Sequence, residues 1–131
     1  MRANLLERGA TNTMFTFFSG KSKNMQTCTL SIEKRTHLLV VEQKHDSEDW
    51  PRYIRLTGQQ VKRIQQMFFK GSFYSATKPA NYFTLENGIY TMCCRAENQV
   101  IKLSVEDMAN VYQYYERHKE RIAKYDFEFK K

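Results

Sequence analysis

The chain is poor in the residues that usually announce chemistry. It has three cysteines, Cys28, Cys93 and Cys94, an odd number with two adjacent and no Cys-x-x-Cys spacing. Neither a disulfide framework nor a zinc site is supported by that pattern. Reduced thiols in an intracellular setting are the expectation. Apolar runs are short, and none approaches the ~20 residues of a membrane-spanning helix. Residues 1–13 carry Arg2, Glu7 and Arg8 without a long apolar stretch, so they read as a flexible leader and not as a secretory signal. His37, His45 and His118 lie far apart, with no metal-ligand spacing. No Gly-rich phosphate loop and no Ser-His-Asp logic is readable. Asp46, Glu48 and Asp49 cluster in one stretch, but metal ligands converge from rigid elements, and this stretch reads as a solvated loop. The expectation is a protein with no metal, no cofactor and no catalytic residues. A nuclease using the acidic loop is the weakest of the available readings.

What the chain does have is positive charge and rings. Lys and Arg total 21 against 14 Asp and Glu, a net charge of +7 over 131 residues. Such a surplus favours polyanionic partners. Eight Tyr, nine Phe and one Trp make up 14% of the chain, and 41% of it is hydrophobic, enough to build a core.

Met14–Phe18 is a short apolar run closed by Ser19-Gly20. Met25–Glu33 alternates, with Cys28, Leu30 and Ile32 on one side and Thr27, Thr29 and Ser31 on the other. A period of two marks a half-buried strand. After a turn at Lys34-Arg35, the run His37–Val41 predicts a second strand, Gln43–Pro51 a polar loop, and Arg52–Leu56 a third strand. At Thr57 the period becomes helical: Val61, Ile64, Met67 and Phe68 share a face, and Thr57 with Gln60 forms a capping-box signature. Gly71 is the predicted stop. The programme then repeats. Asn81–Glu86 alternates, Asn87-Gly88 predicts a type I′ hairpin, and Ile89–Ala96 returns. Gln99–Leu103 is a further strand, and Ser104 caps a helix predicted to run to about Lys124, striped by Met108, Val111, Tyr112 and Tyr115.

The two junctions correspond residue by residue. Tyr53–Ile64 and Val100–Val111 each place two core residues, a cation between them, a hydroxyl cap and a helix stripe: Ile54 matches Ile101, Arg55 matches Lys102, Leu56 matches Leu103, Thr57 matches Ser104 and Val61 matches Met108. The predicted fold is α+β, one domain over 14–124 built from two tandem antiparallel β-β-β-(β)-α units, about 14–71 and 72–124, followed by a tail at 125–131. One helix covers one face of each sheet and leaves the other face open.

Alternation assigns that open face. With Ile54, Leu56, Ile101 and Leu103 turned inward, Tyr53, Arg55 and Lys102 point out, as do Thr91, Cys93 and Arg95 if Tyr90, Met92 and Cys94 are core. Flanking cations are Lys21, Lys23, Lys34 and Arg35, with Trp50 and Arg52 beside the acidic loop. Phe68–Tyr74 interleaves rings with Lys70, and Lys78 and Tyr82 lie beyond. Cations that neutralise phosphates, hydroxyls that hydrogen-bond, and rings that stack on unpaired bases are what a single-strand binder needs.

In layout, over about 14–124, the chain resembles the single-strand-binding group of Whirly proteins, Pur-alpha repeats and the transcriptional coactivator positive cofactor four. The parts that carry the resemblance are the two strand-to-helix junctions. It implies an intertwined pair of sheets, binding of single-stranded DNA or RNA on the strand faces, and Tyr53, Arg55, Arg95 and Lys102 on the binding surface. Lys21, Lys23, Lys34, Arg35, Arg52, Trp50, Lys70 and Tyr74 complete the candidate set. The expected function is single-stranded nucleic-acid binding in transcription, replication or RNA handling. The expected state is a homo-oligomer, a dimer, away from membranes, and nuclear if the source is eukaryotic or a virus replicating there. The competing reading is an assembly factor that packs Tyr112, Tyr114, Tyr115 and Ile122 of its last helix against a partner or a second copy.

Overall fold

The computed structural model describes residues 14–19, 26–45, 47–70, 74–75, 81–94 and 97–124, with backbone only at 67–70, 74–75 and 81. Its strands are β1 (Phe15–Ser19), β2 (Gln26–Ile32), β3 (Leu39–His45) and β4 (Arg52–Leu56), then β5 (Tyr74–Ser75), β6 (Asn81–Glu86), β7 (Ile89–Cys94) and β8 (Gln99–Ser104). The helices are α1 (Gly58–Lys70), after β4, and α2 (Val105–His118), after β8. Every strand pairs antiparallel with its sequence neighbour, giving sheet orders β1-β2-β3-β4 and β5-β6-β7-β8. The fold is α+β, with each sheet running into a helix.

Both junctions form as their chemistry dictates. Thr57 Oγ1 accepts from the Gln60 N–H at 3.1 Å, and Gln60 Oε1 accepts from the Thr57 N–H at 2.9 Å, closing a reciprocal capping box. Ser104 Oγ accepts from the Asp107 N–H at 3.0 Å. The β6–β7 hairpin turns through Asn87 and Gly88 at φ 51° and 77°, a left-handed pair that Asn-Gly adopts readily.

The inward rows of both sheets and the apolar faces of both helices converge in one cluster. Sheet one contributes Cys28, Leu30, Leu39, Val41, Ile54 and Leu56. Sheet two contributes Phe83, Tyr90, Met92, Ile101 and Leu103, and the helices add Val61, Ile64, Met108, Val111, Tyr114 and Tyr115. Burying each such side chain stabilises the fold by roughly 1.5–3 kcal/mol. The helices approach closely at Gly58, where a Cβ would lie 3.0 Å from the Tyr115 hydroxyl.

Three expectations fail locally. β3 begins at Leu39 instead of His37, which sits at φ 62° in the turn, and it continues through Gln43, Lys44 and His45, where a polar loop was expected. Gln43 explains the error: it occupies an inward position, 3% exposed, where the pattern calls for an apolar residue. Its amide is satisfied there, donating from Nε2 to the Lys102 carbonyl at 3.1 Å and to Cys28 Sγ at 3.7 Å. Second, α2 ends at His118 instead of near Lys124; a 3₁₀ turn over Lys119–Arg121 follows, then Ile122, which is extended, and Ala123, both buried. No breaker residue stops the helix. The chain leaves it because Ile122 joins the core and the Ala123 N–H donates to the His37 carbonyl. Third, Tyr114, absent from the expected stripe, is deeply buried, whereas Tyr112 is half-buried at its rim and donates to the Tyr90 hydroxyl at 3.1 Å.

Candidate nucleic-acid interface

The register converts alternation into rows of side chains on the outward faces. On sheet one they read Thr16–Thr29–Glu42–Tyr53, Phe18–Thr27–Lys44 and Ser31–Val40–Arg55. On sheet two they read Thr84–Thr91–Lys102 and Tyr82–Cys93–Val100. Neighbouring strands are about 4.8 Å apart, so Thr16–Thr29–Glu42–Tyr53 and Phe18–Thr27–Lys44 each set a ring, a hydroxyl and a charged group within reach of one ligand, and Ser31–Val40–Arg55 and Thr84–Thr91–Lys102 each pair hydroxyl and cation. Phe18 is 69% exposed, and Lys102 and Val100 are also exposed.

The sheets are stitched where β4 meets β8. The Tyr53 N–H donates to Gln99 Oε1 at 3.3 Å, and Gln43 reaches the Lys102 carbonyl from beneath. Arg55 forms the third bridge. Its Nε donates to Glu33 Oε1 at 3.0 Å, and its Nη1 donates to both Glu97 oxygens at 3.2 Å. The guanidinium also lies over the Tyr53 ring, 4.8 Å from its centroid.

The sequence-derived candidates therefore divide. Tyr53, Arg55 and Lys102 share the outward parity expected of them. Arg55, however, is matched by two carboxylates, and it occupies one face of Tyr53. Arg52 has the opposite parity, opposite buried Gln43, and pairs with Glu48 at 2.5 Å. Trp50 is 79% exposed on the loop before β4. Lys34 and Arg35 are exposed in the β2–β3 turn. Lys21, Lys23 and Arg95 lie outside the described residues, as do Asp46, the leader, Gly71, Lys78 and the tail, and so do the side chains of Phe68, Lys70 and Tyr74. Two outward residues were missed. Phe18 was folded into an apolar run, although its partner Thr27 had been assigned to the outward side. Lys44 was placed in a loop because buried Gln43 broke the alternation.

Burial pushes the Cys28 thiol up, away from thiolate character. Among the described residues no group of three His, Cys, Asp or Glu could hold a metal ion. Among them, too, no helix is long and apolar enough to cross a membrane. No protein-family model, curated protein or solved structure matches this chain.

The Glu33–Arg55–Glu97 bridge makes stability depend on pH. The Thr36 hydroxyl donates to Glu33 at 2.5 Å, and that bond, with Arg55 beside it, holds the Glu33 carboxyl below its ordinary value of 4.5. A depressed folded-state value means the contribution is present above 4.5 and is lost as pH falls through the lower value. Urea midpoints measured across this acid range should drop for the wild type more steeply than for Glu33→Gln. Parallel curves would show that the bridge contributes nothing.

Proposed function

We propose that the protein binds single-stranded nucleic acid, DNA or RNA, on the outward faces of its two sheets, as a stoichiometric binder in transcription, replication or RNA handling. The observation that carries this reading is the pair of rows Phe18–Thr27–Lys44 and Thr84–Thr91–Lys102. Each aligns hydroxyls with a cation across adjacent strands, and the first adds an exposed ring. An unpaired base can stack on Phe18 while the phosphate beside it meets Lys44, a combination that a duplex with its bases already stacked cannot use. The net charge of +7 supplies long-range attraction for the same partner. The likeness to Whirly, Pur-alpha and positive-cofactor-four proteins rests on layout alone, and it supports the same partner class.

The reading that α2 docks on a partner loses its chemistry. Tyr114, Tyr115 and Ile122, three of the four residues that would form that surface, are buried in the protein's own core. The test is a fluorescence-anisotropy titration with oligonucleotides of about 25 nucleotides at about 50 mM salt, single- against double-stranded. Tighter binding of the single strand, weakening steeply as salt rises, is the expected result. No binding to any single strand sinks the proposal.

A further inference from the structure

The outward sheet faces carry less usable charge than the net charge of the chain, because Arg55 is matched by Glu33 and Glu97. Other exposed cations of the described residues meet elsewhere. Three backbone hydrogen bonds pin three distant segments together. The Ala123 N–H donates to the His37 carbonyl at 2.7 Å, the Gly58 N–H to the Ala123 carbonyl at 2.7 Å, and the Gln59 N–H to the Lys124 carbonyl at 3.1 Å. The first segment is the β2–β3 turn, with Lys34 and Arg35 exposed. The second is the chain after α2, with Arg121 and Lys124 exposed. The third is the start of α1, where exposed Lys62 and Arg63 fall three and four residues after Gln59, on the same helix face. Helical side chains lean toward the N-terminus, so these two cations lean toward the pinned segment.

Among the described residues acids are scarce at this meeting point. α1 contains none, Glu33 is turned to Arg55 and Thr36, and Glu120 precedes Arg121 as the near exception. The field is felt nearby: burial, then the charges of Arg121 and Arg117, push His118 down. The start of α1 is not itself the anion site. Its Gly58, Gln59 and Gln60 N–H groups already donate to the Ala123 carbonyl, the Lys124 carbonyl and Thr57 Oγ1. Side chains alone would meet a ligand here.

We infer that this three-segment basic patch is a phosphodiester-backbone site that carries most of the salt-dependent affinity. It rests on the nucleic-acid reading above and extends it. The β2–β3 turn closes the same end of sheet one that holds the row Ser31–Val40–Arg55, so a strand lying on the sheet runs off onto the patch. Among the described residues no exposed Phe, Tyr or Trp ring lies beside these cations, and cations alone take backbone charge, not bases, so the patch accepts single and double strands alike.

The test compares three proteins by anisotropy on single- and double-stranded DNA of equal length over a salt series: the wild type, a patch variant (K34Q/R35Q/K62Q/R121Q) and a sheet variant (F18A/K44Q/K102Q). The patch variant should bind both DNA forms at least about tenfold more weakly at about 100 mM salt. Its log-affinity against log-salt slope on the single strand should be shallower by nearly 3, at about 0.7 per lost phosphate contact. The sheet variant should lose single-strand affinity preferentially. A patch variant that matches the wild type in affinity and slope overturns the inference and leaves the sheet reading intact. Loss in the patch variant with none in the sheet variant supports the patch and overturns the sheet reading. A wild type that binds neither form overturns both. Thermal melts verify folding, and if the fourfold variant is unfolded, K34Q/R35Q in the exposed turn serves in its place, with a slope change about half as large and the same overturning result.

Discussion

A sheet variant combining Phe18→Ala, Lys44→Gln and Lys102→Gln should bind a single strand of about 25 nucleotides roughly a hundredfold more weakly than the wild type at about 100 mM salt. The magnitude follows from two separable effects. Removing a stacking ring costs about 1–3 kcal/mol per base, which at 1.4 kcal/mol per decade is already up to about a hundredfold. Removing two phosphate contacts makes the salt dependence shallower by about 1.4 in the logarithmic slope, which the same titration reads separately. The variant should melt within a degree or two of the wild type. All three residues face outward, and exposed substitutions away from caps and networks typically change stability by less than about 0.5 kcal/mol. Arg55→Gln is the informative contrast. It breaks two ion pairs and the contact over Tyr53, so it should change the acid sensitivity of folding more than it changes affinity. Wild-type affinity in the sheet variant would remove the strand faces from the binding surface.

The contrast between Arg55 and Lys102 shows where sequence reasoning stops. Both were placed on the outward face from alternation alone, and the register agrees. Local periodicity, capping chemistry and the Asn87-Gly88 turn are properties of a few consecutive residues, so the order β2-β3-β4-α1 and β6-β7-β8-α2 was legible, whereas the edge strands β1 and β5 were not singled out. What could not be read is who else arrives at the same place. Glu97 lies in the turn between β7 and β8 and reaches Arg55 only because β4 and β8 come together across the sheet junction. Gln43 was misread for the same reason. A polar residue in an inward row is costly unless it is satisfied, and its acceptor, the Lys102 carbonyl, belongs to the other sheet. The candidate site was thus half legible: its faces follow from local pattern, whereas the neutralisation of Arg55 and the gathering of Lys34, Lys62 and Arg121 follow from tertiary contacts between distant segments.

The segment that gathers them is also the place where a single small change should cost most stability. Ile122 is 4% exposed and belongs to the core cluster, although it follows the end of α2 in an extended stretch. Ile122→Ala should destabilise the fold by about 2–4 kcal/mol, the usual cost of such a truncation in a packed core, and lower the melting temperature by about 10 °C. Connectivity makes the effect global. Anchored by Ile122, the following residues supply the carbonyls that accept from Gly58 and Gln59 at the start of α1, and the N–H that holds the His37 carbonyl in the β2–β3 turn. If the segment lifts away, two N–H groups of α1 lose their acceptors, and that side of the core, where Tyr115 closes over Gly58, opens to water. An independently fraying end would behave differently. The melting temperature of Ile122→Ala would then match the wild type, and only the Ala123 amide would exchange faster. Urea denaturation together with amide exchange separates the two. A midpoint shift in Ile122→Ala with an unchanged m-value is the expected signature of lost stability in a fold that still unfolds as one unit.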